Sequence, residues 1–170
     1  MSQSPTAHNA AAPSANRPSP SGPPSLLLAV GLGLLALVPF IAGVYEAYWG
    51  DWLEPARVLH IALVYLATIV SFIGGVQWGL MLARGRAPAP DMVLGVVPAL
   101  IAWPALLLGP MFGQGYTFGL LLAALVLAWG ADERGARQGW QQSGFLQLRR
   151  VLTLVVAGCV VAIGWHVVRG

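Results

Sequence analysis

Five apolar runs separated by short polar, glycine-rich or proline-containing segments constrain this chain more than any other feature it has. They cover approximately residues 26–44, 58–83, 92–108, 117–131 and 151–168. About 20 apolar residues in helical form cross the roughly 30 Å hydrocarbon core of a bilayer, so each run is read as a span, the fourth being the shortest. A chain of 170 residues with 57% hydrophobic and 9% charged side chains cannot cover so much apolar surface with a polar exterior. Lipid offers no partner to a bare peptide group, and helices satisfy theirs internally. The expected fold is therefore all-α: a polytopic membrane protein, a five-transmembrane-helix bundle over residues 25–170.

Residues 1–24 are rich in Pro, Ser, Ala and Asn and offer too little apolar surface to offset ordering entropy, so a disordered tail is expected there. The first run is longer than a signal-peptide core and leads into "AGVYEAYW" rather than a small-residue cleavage site, which favours retention as a span. The tail lacks acids but has a single arginine, too few for the usual amphipathic transit helix. A bacterial inner membrane is the expected location, with the mitochondrial inner membrane as alternative.

Arginine placement orients the spans, because positive flanks stay on the cytoplasmic side during insertion. One side carries Arg17, Arg84, Arg86, Arg134, Arg137, Arg149 and Arg150, the other only Arg57 and Arg169. The N-terminus is expected inside and the C-terminus outside. Trp49, Trp52 and Trp165 then fall at the outer interface and Trp129 at the inner one, where aromatic belts form. Arginines at the ends of apolar runs, rather than on one polar face, also exclude nucleic acid as a partner. The single cysteine, Cys159, permits neither an intrachain disulfide nor a paired-cysteine metal site.

Within the second run, "SFIGGVQWG" holds a serine, a glutamine, a tryptophan and three glycines. At about 100° per residue, Ala67, Ser71, Gly75 and Gly79 share a face with Trp78, Val64 and His60, while Ile69, Ile73, Val76 and Leu80 lie opposite. Small residues every fourth position allow close backbone approach where no hydrophobic effect drives helices together. This face is the expected packing seam and the second span the expected central helix. Gln77 on the flank needs a partner. The alternative is a ligand-binding notch for a lipid headgroup or quinone, built from Ser71, Gly74, Gly75, Gln77 and Trp78.

No Asp, Glu, Lys or Arg falls in the middle of a predicted span, which disfavours proton-driven transport. No HExxH, GxSxG or phosphate-loop motif occurs, and Ser71 has no base at its depth, so the chain is not expected to be an enzyme and no cofactor is expected. His60 and His166, each three residues from an outer-side arginine, form a weak haem-ligating pair, interfacial hydrogen bonding being the plainer role. The polar stretch from the end of the fourth run to the start of the fifth, "GADERGARQGWQQSGFLQLRR", reads as the longest connection of the bundle, with Asp132, Arg134, Arg137, Arg149 and Arg150 as a docking surface for a partner or anionic lipid.

The order of "VYLATIVSFIGGVQWGL", "VPALIAWPALLL", "WGADE" and "LQLRRVLTLVV" resembles the uncharacterised inner-membrane family that includes transmembrane protein 69, across residues of about 26 to 168. Its strongest element is an FxGGxxWG core, here Phe72, Gly74, Gly75, Trp78 and Gly79; the chain departs from the family pattern at Gln77, where a basic residue is common, and near Ser143 to Phe145. The resemblance implies a small multi-span protein and supplies no activity. The function expected from these observations is that of a non-catalytic accessory or assembly component of a larger membrane complex, with the bilayer and other inner-membrane proteins as partners. The alternative is a small hydrophobic-ligand binder or carrier, of lipid, quinone or haem.

Overall fold

The computed structural model describes residues 24–85, 88–139 and 143–169. The expected disordered tail therefore lies outside the described residues, apart from Pro24. Among the described residues the chain is wholly helical: α1 Pro24–Trp49, α2 Pro55–Ala83, α3 Ala89–Phe112, α4 Gln114–Arg137 and α5 Ser143–Arg169. All five are long and apolar enough to cross a membrane, as the runs predict.

The helices alternate in direction. Tyr48, near the end of α1, donates its hydroxyl to the Ala162 carbonyl of α5 at 3.1 Å, and Gln114 at the start of α4 donates to Ala56 O at the start of α2 at 2.7 Å. The opposite end gathers the α2 and α4 C-termini with the α3 and α5 N-termini, and most of the arginines with them; it is called the basic end below. As expected, α2 is central, packing against each of the other four helices. Phe40, Leu63, Leu66, Leu121, Val160 and Ile163 close the middle of the bundle with no more than trace exposure.

Two expectations are corrected. The first concerns the inward face of α2. Its buried residues are Ala67, Val70, Gly74, Gln77 and Met81, whereas Ser71, Gly75, Trp78 and Gly79 are exposed and a methyl group on Gly75 or Gly79 would meet nothing within 4 Å. The seam is thus turned by about one residue, roughly 100°. Gly74 presses directly on the Gly95 carbonyl of α3, and Trp78 lays its ring over Gly95 and donates its indole N–H to Met92 O at 2.8 Å. Ile73 and Val76, on the face expected to lie opposite the seam, are half-buried.

The second correction concerns the long polar connection. Most of it is helix: α4 continues through Asp132, Glu133 and Arg134 to Arg137, and α5 begins at Ser143. Ala, Glu and Arg are good helix formers, and the charged turn finds partners on neighbouring helices. α4 ends where Gly139 takes the left-handed φ of 73°, the usual helix stop. Consequently the fourth span is 24 residues long, the same length as α3, although its apolar run is the shortest of the five.

At the other end α3 and α4 are joined by Gly113 alone, with φ 91° and ψ 163°. That conformation is nearly closed to any residue with a Cβ. Thr117 then reaches back across the joint to donate to Ala105 O at 3.0 Å.

Candidate functional site

The last three residues of "WGADER", Asp132, Glu133 and Arg134, reach out to the neighbouring helices. Asp132 is buried and meets two helices: Gln77 of α2 donates Nε2–H to its Oδ1 at 2.8 Å, and Arg149 of α5 donates Nε–H to its Oδ2 at 2.8 Å. Glu133 takes a bidentate pair of bonds from Arg150 of α5 and accepts Trp129 Nε1–H at 3.1 Å. Arg134 forms an ion pair with Asp91 of α3, whose other oxygen accepts from Gln138 at 3.4 Å. α4 is therefore fastened to α2, α3 and α5 within one turn.

The Asp132–Arg149 pair is the buried member of this clasp, its side chains retaining 4% and 9% of their exposure. Gln77, Asp132 and Arg149 lie five to six residues inside their helix ends, about 8–9 Å along the axes. Ionisable groups at such a depth are rare in membrane helices unless paired or functional. Arg149 Nη2 also lies 2.8 Å from Asp132 Oδ2 but is not aligned to donate to it, leaving this buried nitrogen without a hydrogen bond. The guanidinium lies over the Phe145 ring at 5.8 Å.

Beside this pair is an apolar cavity of about 530 Å³ between α1, α2 and α5. Leu32, Gly33 and Ala36 form one wall, Ile69, Ile73 and Val76 a second, and Phe145, Arg149, Thr153 and Val156 the third. Concave, mainly apolar sites with a few polar groups are where hydrophobic ligands bind. Here the polar groups are Arg149 and Thr153, both buried.

The residues singled out from the sequence are distributed differently. Ser71 donates to Ala67 O of its own helix at 2.8 Å, Gly74 faces α3, Gln77 faces Asp132, and Trp78 is bonded to α3. With Gly75 in the open, these five residues do not form a notch, and the cavity opens on the adjacent face of α2. Of the expected docking residues, Arg134, Arg149 and Arg150 are each paired with a carboxylate of a neighbouring helix, Asp132 being the partner of Arg149, and only that last pair is buried. Arg137 is exposed at the end of α4. His60 is exposed on α2, and His166 stacks on Tyr48 with ring centroids 4.6 Å apart. Among the described residues no group of three or more His, Cys, Asp or Glu side chains is arranged to hold a metal.

The sequence did not point to Asp91 or to the cavity wall on α1 and α5, and its spacing paired Glu133 with Arg137 where the structure pairs it with Arg150. A signal for the clasp was present: Asp132–Glu133 and Arg149–Arg150 are adjacent pairs of opposite charge, and both ion pairs span seventeen positions.

A family model described as "Protein of unknown function (DUF3429)" matches residues 27–164. Transmembrane protein 69 of Xenopus tropicalis is 32% identical over 135 residues, 75% of this chain and 49% of that protein. The chain thus spans about half the length of the curated relative it matches. No solved structure matches the chain.

Proposed function

The chain belongs to the family of unknown function DUF3429, and on that premise we propose that it is a non-catalytic inner-membrane protein that holds a hydrophobic ligand between α1, α2 and α5. The observation that carries this reading is the apolar cavity with the buried Arg149 in its wall. Because Arg149 is already neutralised by Asp132, a phosphate or carboxylate head gains little net attraction there. A neutral amphiphile, such as a quinone or the ester and acyl portion of a lipid, suits an apolar wall whose guanidinium is already neutralised and whose other polar group is the Thr153 hydroxyl. Haem is the poorest of the three candidate ligands, since neither His60 nor His166 borders the cavity.

The accessory-component reading relied on free arginines as docking charges. Three of them serve the bundle itself, which moves the balance toward the ligand reading. Orientation with the N-terminus inside, and a bacterial inner membrane as the location, remain part of the proposal on the strength of the arginine distribution.

The test is extraction in mild detergent followed by native mass spectrometry of retained small molecules. One amphiphile should remain bound to the natural protein and be lost from Ala36→Phe, which fills the cavity from α1. Natural protein that retains no stoichiometric amphiphile, or a filled variant that retains the same one, rejects the reading.

A further inference from the structure

At the end of the bundle opposite the basic end, a second and more open cavity of about 710 Å³ lies against α1 and the segment that follows it. Its apolar floor is Val38, Ile41 and Ala42, and its mouth is Tyr45, Glu46, Trp49, Asp51 and Trp52. Tyr45 and Trp49, one helical turn apart, set their rings at a tilt of 33° with centroids 6.1 Å apart, forming a corner of two aromatic walls. Glu46 fixes the third wall, because its Oε1 accepts the backbone N–H groups of Trp52 at 2.7 Å and Leu53 at 2.8 Å. Trp52 is thereby held 92% exposed, an expensive arrangement for an indole in water but a useful one at a membrane surface.

We propose that this cavity binds a phospholipid with an ammonium headgroup. Aromatic faces attract cations, above all alkylated ammonium groups, and the two carboxylates at the mouth add negative charge, with no basic residue between positions 46 and 54. A soluble amine would have no use for the floor: Val38 and Ile41 are more than half exposed on the outward face of α1, where an acyl chain lies along them. The headgroup site and the apolar track are thus continuous on one helix. Interfacial tryptophans elsewhere need no such explanation, since belts form without carboxylates or a cavity. The inference does not depend on the α1/α2/α5 cavity.

The purified full chain, exchanged into nanodiscs containing equal amounts of phosphatidylcholine, phosphatidylethanolamine and phosphatidylglycerol, provides the test, with retained lipids read by native mass spectrometry. Either or both ammonium lipids should be retained about threefold or more over phosphatidylglycerol, and the ratio between the two tells whether a quaternary or a primary ammonium is preferred. Trp49→Leu and Asp51→Asn, both at exposed positions, should remove the preference without lowering thermal stability. Trp165→Leu, an exposed tryptophan near the same end of the bundle but outside the cavity, should leave it intact. Equal retention of all three lipids overturns the proposal. So does loss of preference in Trp165→Leu, which marks a general belt effect, or displacement of the lipid by free choline at equal concentration, which marks a soluble-cation site.

Discussion

Arg149 donates its Nε–H to Asp132 at 2.8 Å across the α4–α5 interface, and the two residues that follow them, Arg150 and Glu133, repeat the pairing at the same spacing. One pair is buried and the other is partly exposed. Their energetic weights should differ accordingly, since a buried charge deprived of its partner is far more costly than a solvated one.

Arg149→Met is expected to destabilise the protein by about 3–5 kcal/mol, and Arg150→Met far less, because its pair is screened by solvent. Thermal unfolding in detergent checks both. Combining Arg149→Met with Asp132→Leu should cost less than the sum of the single changes, with a coupling of roughly 0.5–3 kcal/mol.

On α2, Gly74→Ala drives a methyl group into the Gly95 carbonyl and should cost about 1–3 kcal/mol. Gly75→Ala, one position away, meets open space and should be neutral or stabilising by up to about 1 kcal/mol through helix propensity. Equal melting temperatures for the two variants would contradict the assigned face.

Gly113→Ala forces a side chain into the conformation with φ 91° and ψ 163°. A loss of about 1–3 kcal/mol is expected, again read from thermal unfolding.

Arg137→Gln is expected to weaken association with anionic vesicles roughly fivefold at low salt, about 1 kcal/mol, while leaving stability unchanged. Arg134→Gln should instead lower stability, by about 1 kcal/mol, because Asp91 loses its ion pair. Co-sedimentation and thermal unfolding on the same samples separate the two effects.

A reporter fused after Gly170 should be active on the outer side only, and one inserted beside Gly139 on the inner side only. The reverse pattern would contradict the orientation drawn from the arginines.

The number of spans, their alternation and the central place of α2 were legible in the sequence, because span length is set by bilayer thickness and little else. Which face of α2 points inward was not, since small residues occupy two adjacent faces and spacing cannot choose between Gly74 and Gly75. Gln77 could have chosen: an amide in an apolar helix must find a partner inside the protein, and Ala67, Val70, Gly74 and Met81 share its side. Asp132 and Arg149 were read as loop residues because each is polar on its own, and their mutual neutralisation exists only once α4 and α5 are side by side. The cavity was hidden for a related reason, as three helices contribute its walls and none of them carries its shape alone.

The clasp also imposes a schedule on synthesis. α4 is the least apolar of the five spans, and while it leaves the ribosome Asp132 and Glu133 have no arginines yet to meet. Seventeen further residues must be made before Arg149 and Arg150 exist, about one to three seconds at ordinary elongation rates. Alone in lipid those carboxylates would lack their partners on α5, so α4 and α5 are expected to enter the membrane together.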